Sequence, residues 1–176
     1  MNNAMQLKSL VKRVAKEKNI SPQLVLQNYM HERFLERLSV SRYKTNFIIK
    51  GGFLIASLVG LDTRATMDID ATIKGYPVAE GAITQMINSI IGIELEDGVT
   101  FELKSIQDIR GEDDYSGYRV SLTANYQQMS VPLKVDITTG DVITPHEISY
   151  TYHLMLENRD IDIFVYSLSS TLAEKI

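Results

Sequence analysis

Apolar positions recur at two different periods along this chain, and the change of period divides it. Over residues 5–18 (MQLKSLVKRVAKEK), Met5, Leu7, Leu10, Val11 and Ala15 fall at near-helical spacing with lysines elsewhere, which predicts an amphipathic helix. The following NISPQ is a boundary: Ser21 suits an N-cap and Pro22 a first helical position. A second helix is predicted over about 22–38, with Leu24, Val25, Tyr29, Phe34, Leu35 and Leu38 on one side.

From Asn46 the pattern shortens. Phe47–Ile49 reads as a short strand, and GGFLIASLVG as a turn entering a buried apolar helix. TMDIDATI (66–73) alternates at period two, with Met67, Ile69, Ala71 and Ile73 on one face and Thr66, Asp68, Asp70 and Thr72 on the other. A helix is expected after Pro77, running to about Ile91. Residues 99–107, 118–126 and 131–138 read as three further strands, the last two joined by the link Gln127–Ser130. Two late strands, in ISYTYHLML and IDIFVYSL, flank ENRD as a hairpin, and LSSTLAEKI begins a helix. The mixture predicts an α+β fold with a mixed sheet flanked by helices. Three regions are expected: an N-terminal helical arm over 1–45, a core over 46–167, and the start of a C-terminal helical region over 168–176. Because that last helix stops after one or two turns, the chain reads as the N-terminal portion of a longer protein.

Composition narrows the classes. At 176 residues, 44% hydrophobic and 23% charged, the sequence is that of a folded domain with a sizeable core. The absence of cysteine excludes disulfides and thiolate chemistry. No apolar run approaches the ~20 residues that span a bilayer, so no membrane association and a cytoplasmic location are expected. The net charge of −4 conceals an asymmetry: residues 1–50 carry 10 Lys/Arg against 3 Asp/Glu, and the remainder 8 against 19. A basic arm on an acidic body is compatible with holding a polyanion near a carboxylate-rich site, and equally with solvated helix faces.

The chemistry centres on Asp68 and Asp70. At i and i+2 of a strand they project side by side, and paired carboxylates call for a cation between them. Hard oxygen ligands suit Mg²⁺, with Mn²⁺ as the alternative. A lone D-x-D also occurs on ordinary exposed strands. Two features sharpen it here: Lys50-Gly51-Gly52 at a strand-to-helix turn, where backbone N–H groups can approach phosphate, and Asp136, which shares the polar side of its strand with Lys134. Three carboxylates and a phosphate-cradling turn are the parts of two-metal phosphoryl transfer. His31, His146 and His153 lack metal-ligand spacing, and there is no G-x-S-x-G or Walker-type G-K-S/T.

The order Gly-Gly, helix, D-x-D strand and later strand aspartate resembles the nucleotidyltransferase fold of the polymerase-beta superfamily. FIIKGGFLIASLVGLDTRATMDIDATI is more specifically similar to the AbiEii/AbiGii toxin family, with its K-G-G turn and R-x-T-x-D-x-D. The opening from SPQLVL, the segment LKVDITTGD and the closing TLAEKI are similar too. The resemblance implies Asp68, Asp70 and Asp136 as metal ligands and catalytic acids, with Lys175 of A-E-K contacting nucleotide phosphates. It implies nucleotide contacts at Lys50, Gly51, Gly52, Arg64 and Thr66, with bracing of the loop as the alternative role of Arg64. Gly52 stands where the wider superfamily often has serine, and the family's later Arg-Asp-rich stretch has no counterpart here. The implied activity is Mg²⁺-dependent transfer of NMP from GTP or another NTP to an acceptor such as a tRNA 3′ end. It would be the toxin component of an abortive-infection toxin–antitoxin system, with a cognate antitoxin. The alternatives are a non-catalytic nucleotide-binding or regulatory module of the same fold, a D-x-D glycosyltransferase, and a structural interaction domain.

Overall fold

The computed structural model describes residues 3–50, 68–75, 77, 79–110, 116–138 and 147–165. The expected buried helix after Gly52 and the expected C-terminal helix lie outside these. Helix α1 (Ala4–Lys18) starts where Asn3 accepts a hydrogen bond from the Gln6 amide at 2.8 Å, and stops at Asn19, whose φ of 56° is left-handed. Helix α2 (Pro22–Ser39) begins as its sequence demands: the Ser21 hydroxyl accepts from the Gln23 amide at 3.1 Å, and Pro22 fills the first turn.

Seven strands follow in one mixed sheet: β1 (Phe47–Lys50), β2 (Ile69–Ile73), β3 (Val99–Arg110), β4 (Ser116–Tyr126), β5 (Met129–Thr138), β6 (Ile148–His153) and β7 (Asp160–Val165). Helix α3 (Glu80–Ile91) separates β2 from β3. The order across the sheet is β3-β4-β5-β2-β1-β7-β6; β2 runs parallel to β5 and β1 to β7, and every other neighbouring pair is antiparallel. The ISYTYH and IDIFV strands do form the expected hairpin.

The strands of the central hairpin are longer than their apolar alternation predicts. β5 begins at Met129, so only Gln127 and Gln128 turn the chain, with Gln127 at φ 52°. Pro132 sits inside β5 opposite Thr123 of β4; on the strand's other side, among the described residues, β2 pairs only with residues 135–138.

One sheet face carries Ile69, Ala71, Leu122, Leu133, Val135 and Ile137, all nearly inaccessible, and α2 and α3 cover this side. Phe34 on α2 meets Phe47 and Phe101 edge to face, with ring centres 6.1 and 6.3 Å apart, tying the helix to strands far apart in sequence. The residues of α1 and α2 share one continuous buried cluster with the sheet.

α2 also carries buried polar groups. Arg37, 1% exposed, makes a bidentate pair with Asp97 at 2.9 and 3.0 Å and donates to the carbonyls of Arg33, Ile93 and Val99. One guanidinium thereby pins the α3–β3 connection onto α2 with its fork used on both sides. Glu32 accepts from the Met155 amide through both oxygens, at 3.2 and 3.1 Å, and holds the β6–β7 connection.

Candidate active site

The register of the sheet sets the site. Lys50 stands opposite Asp70 between β1 and β2, Asp70 opposite Asp136 between β2 and β5, and Asp136 opposite Arg119 between β5 and β4. Residues paired in register share a face, so four strands place Lys50, Asp70, Asp136 and Arg119 in one lateral row. Ile69 and Ala71 point to the helical side, and the row occupies the opposite face. Asp68 lies in the bend just before β2, outside the strand the alternation predicted for it, and is close enough to Asp136, Lys134 and Arg119 for their charges to act on it.

The pairing of Asp70 with Asp136 is the third-carboxylate arrangement that the alternation of the two strands allowed. It arises because β2 and β5 are parallel and central, with Thr72 Oγ1 donating to the Thr138 carbonyl at 3.2 Å next to the pair. Burial pushes the Asp68 carboxyl above the usual carboxylate range, with the charge of Asp136 adding to it; Lys134 and Arg119 act the other way.

Arg119 pairs with Asp136 within the row. Its Nε donates to Asp136 Oδ1 at 2.9 Å and its Nη2 to Oδ2 at 3.1 Å, a bidentate fork in which the side chains are 40% and 20% exposed. The bond to Asp136, and then the nearby charges of Asp136, Asp68 and Asp70, raise the guanidinium's already high pKa further. The sequence reading passed over Arg119. The four-residue link it assumed pairs Arg119 with Thr138, whereas the two-residue turn at Gln127 and Gln128 pairs it with Asp136. A signal was present: Arg119 is the only charged residue in β4 and lies on that strand's polar side.

Of the expected site residues, the fold brings Lys50, Asp68, Asp70 and Asp136 together. Gly51, Gly52, Arg64, Thr66 and Lys175 lie outside the described residues. Three carboxylates are the right donors for a hard divalent cation. They are not drawn into a closed cage: among the described residues, no three His, Asp or Glu side chains converge closely enough to hold a metal ion.

The start of α1 is displaced from this row. The Ala4 amide donates to Gln127 Oε1 at 2.9 Å, so α1 begins at the turn end of the β4–β5 hairpin. Asp136 is seven residues along β5 from Met129, roughly 23 Å at ~3.3 Å per residue. A separate cavity of about 400 Å³ lies among Tyr29, Arg33, Glu36, Asp97, Glu157 and Arg159. Arg33 and Arg159 pair there with Glu36 and Glu157, and the Arg33 guanidinium lies 4.5 Å over the Tyr29 ring, while Arg33 Nε and Nη2 are buried without a hydrogen-bond partner.

The family model described as the nucleotidyl transferase AbiEii toxin of type IV toxin–antitoxin systems matches residues 33–176. No curated protein matches the sequence. Among solved structures, JHP933 from Helicobacter pylori aligns with a TM-score of 0.51 at 15% identity, over 88% of this chain and 56% of its own. A second H. pylori structure aligns with a TM-score of 0.49 at 15% identity, over 89% of this chain and 59% of its own. Identity this low speaks for the fold alone, and this chain spans little more than half the length of either structure. No helix among the described residues is long and apolar enough to cross a membrane.

Proposed function

This chain belongs to the AbiEii nucleotidyl transferase toxin family of type IV toxin–antitoxin systems, and on that premise we propose that it transfers a nucleoside monophosphate from an NTP to an acceptor. The observation that carries the proposal is the register of Asp70 opposite Asp136, with Asp68 near enough to Asp136 to feel its charge. Family membership supplies the reaction class; the row supplies residues able to perform it.

In this reading an acceptor oxygen attacks the α-phosphorus in line, the bond to the bridging oxygen breaks, and pyrophosphate leaves. Asp68, Asp70 and Asp136 would hold Mg²⁺, which when bound neutralises charge on the triphosphate and the leaving group. Asp136 would also take the acceptor's proton. Lys50, opposite Asp70, supplies positive charge at the phosphate side of the row. Gly51, Gly52, Arg64, Thr66 and Lys175 complete the proposed nucleotide contacts. The acceptor is proposed to be RNA, with the tRNA 3′ end as the first candidate. The separation of α1 from the row favours an extended polynucleotide over a small molecule if one acceptor touches both. A cognate antitoxin is the proposed partner.

The test is incorporation of label from each α-³²P-NTP into RNA, with release of pyrophosphate from the γ-labelled form. Transfer abolished by Asp70→Asn is expected; transfer unaffected by that substitution would remove the row from the chemistry. One observation favours a second reading, a nucleotide-binding module without turnover: both oxygens of Asp136 are engaged by Arg119. Nucleotide binding without incorporation at any acceptor would select it.

A further inference from the structure

The proposed cation site is not closed among the described residues, and one of its carboxylates is already engaged. Each oxygen of Asp136 accepts a hydrogen bond from Arg119, whereas Asp70 stands directly opposite Asp136 on the other side. The guanidinium is also close enough to Asp68 and Asp70 for their charges to act on it. With Lys134, which acts on Asp68, and Lys50, which stands opposite Asp70, it is one of the positive charges around the three carboxylates, and the one bonded to Asp136, where it offsets repulsion that a divalent cation would otherwise relieve.

We propose that Arg119 is a positioning residue that competes with the divalent cation for Asp136: it latches that carboxylate when the cation is absent and releases it on loading. This rests on the nucleotidyltransferase reading of the row. The pair is geometrically able to behave this way. At 40% exposure the Arg119 side chain borders solvent and can turn out of the row without leaving a buried charge behind. An exposed bidentate pair is also weak enough for a cation held by several carboxylates to displace. Released, the planar fork lies within reach of an anionic group brought in beside the cation, which is the geometry guanidinium recognises in phosphate.

The cation-binding test compares Mn²⁺ affinity of the wild-type chain and Arg119→Gln by calorimetry and by the electron paramagnetic resonance signal of free Mn²⁺. Removing the competitor is expected to tighten Mn²⁺ binding roughly fivefold or more. Arg119→Lys, which keeps charge but loses the fork, should fall between the two. Weaker or unchanged binding in Arg119→Gln overturns the latch while leaving the metal site standing. Binding by neither protein overturns the metal site itself, and the latch with it. A measurement on the wild type alone guards against a variant that fails to fold: the Arg119 Nε–H resonance is followed during Mg²⁺ titration. A shift that saturates with Mg²⁺ is expected, and a resonance that does not move overturns the proposal.

Discussion

Asp136 faces two residues of opposite charge at one level of the sheet: Arg119, bonded to both its oxygens at 2.9 and 3.1 Å, and Asp70, its partner in the parallel ladder. Its role depends on which neighbour governs it. Bound to Arg119 it is a neutralised surface pair; joined to Asp70 through a cation it is part of an active site.

This gives a separation of activity from stability. The Arg119–Asp136 pair is partly exposed, so Asp136→Asn should cost no more than about 1 kcal/mol of folding stability. NMP transfer should fall by at least about 100-fold, as expected when a group that acts on developing charge is removed. Urea unfolding and the incorporation assay, run on the same preparations, check both. A large stability loss with activity retained would make Asp136 a structural residue.

Arg37 should behave in the opposite way. Its guanidinium is 1% exposed, and its hydrogen-bond partners lie on the α3–β3 connection, at the first residue of β3 and on α2 itself. Arg37→Ala leaves Asp97 and three carbonyls without their donor and should cost about 3–5 kcal/mol. For a chain of this size that lowers Tm by roughly 10 °C. Arg37→Lys should recover little, because one ammonium cannot replace a five-donor fork. Thermal denaturation followed by circular dichroism measures both.

His31 and Glu32 are adjacent and buried, and burial moves them in opposite directions: Glu32 up to about 7 and His31 down to about 3. Between about 4.5 and 7 the folded state holds the Glu32 proton that the unfolded chain releases, so this group's contribution declines as pH rises through that window. Between about 3 and 6.5 the unfolded chain protonates His31 while the fold does not, so its contribution declines as pH falls. Between 4.5 and 6.5 the two nearly cancel. Glu32→Gln removes one side of the balance. Its stability relative to wild type should fall by about 1.4 kcal/mol per pH unit on acidification from 6.5 towards 4.5. Parallel pH profiles in urea titrations would contradict the assignment.

If α1 holds RNA, the hold is electrostatic. Lys8, Lys12 and Lys16 on α1 replaced together by glutamine should weaken RNA binding and flatten its dependence on log salt concentration by about 2–3 units of slope. Fluorescence anisotropy across a salt series measures this. A slope equal to wild type would take α1 out of the RNA interface.

Much of this was legible in the sequence. Ser21 and Pro22 mark the start of α2 because capping is local chemistry, written in adjacent residues. Strict alternation places Asp70, and separately Asp136, opposite the apolar face of their strands, whereas Asp68 falls in the bend before β2. Which strand lies beside which is non-local, and alternation alone does not encode it. The two-residue turn at Gln127 was hidden because Met129 and Ser130 carry no turn or strand signature strong enough to fix the register, and with the register went Arg119. The same non-locality concealed the position of the basic helix: its lysines are plain in the sequence, but their distance from Asp136 follows only from Ala4 docking on Gln127.

The most direct measurement is Mg²⁺-dependent nucleotide binding by calorimetry, with each of the four NTPs, for wild type and for Asp68→Ala and Asp70→Ala. The account predicts binding of at least one NTP that requires Mg²⁺ and is lost in both variants. Binding that persists without Mg²⁺ and without the two aspartates would contradict it.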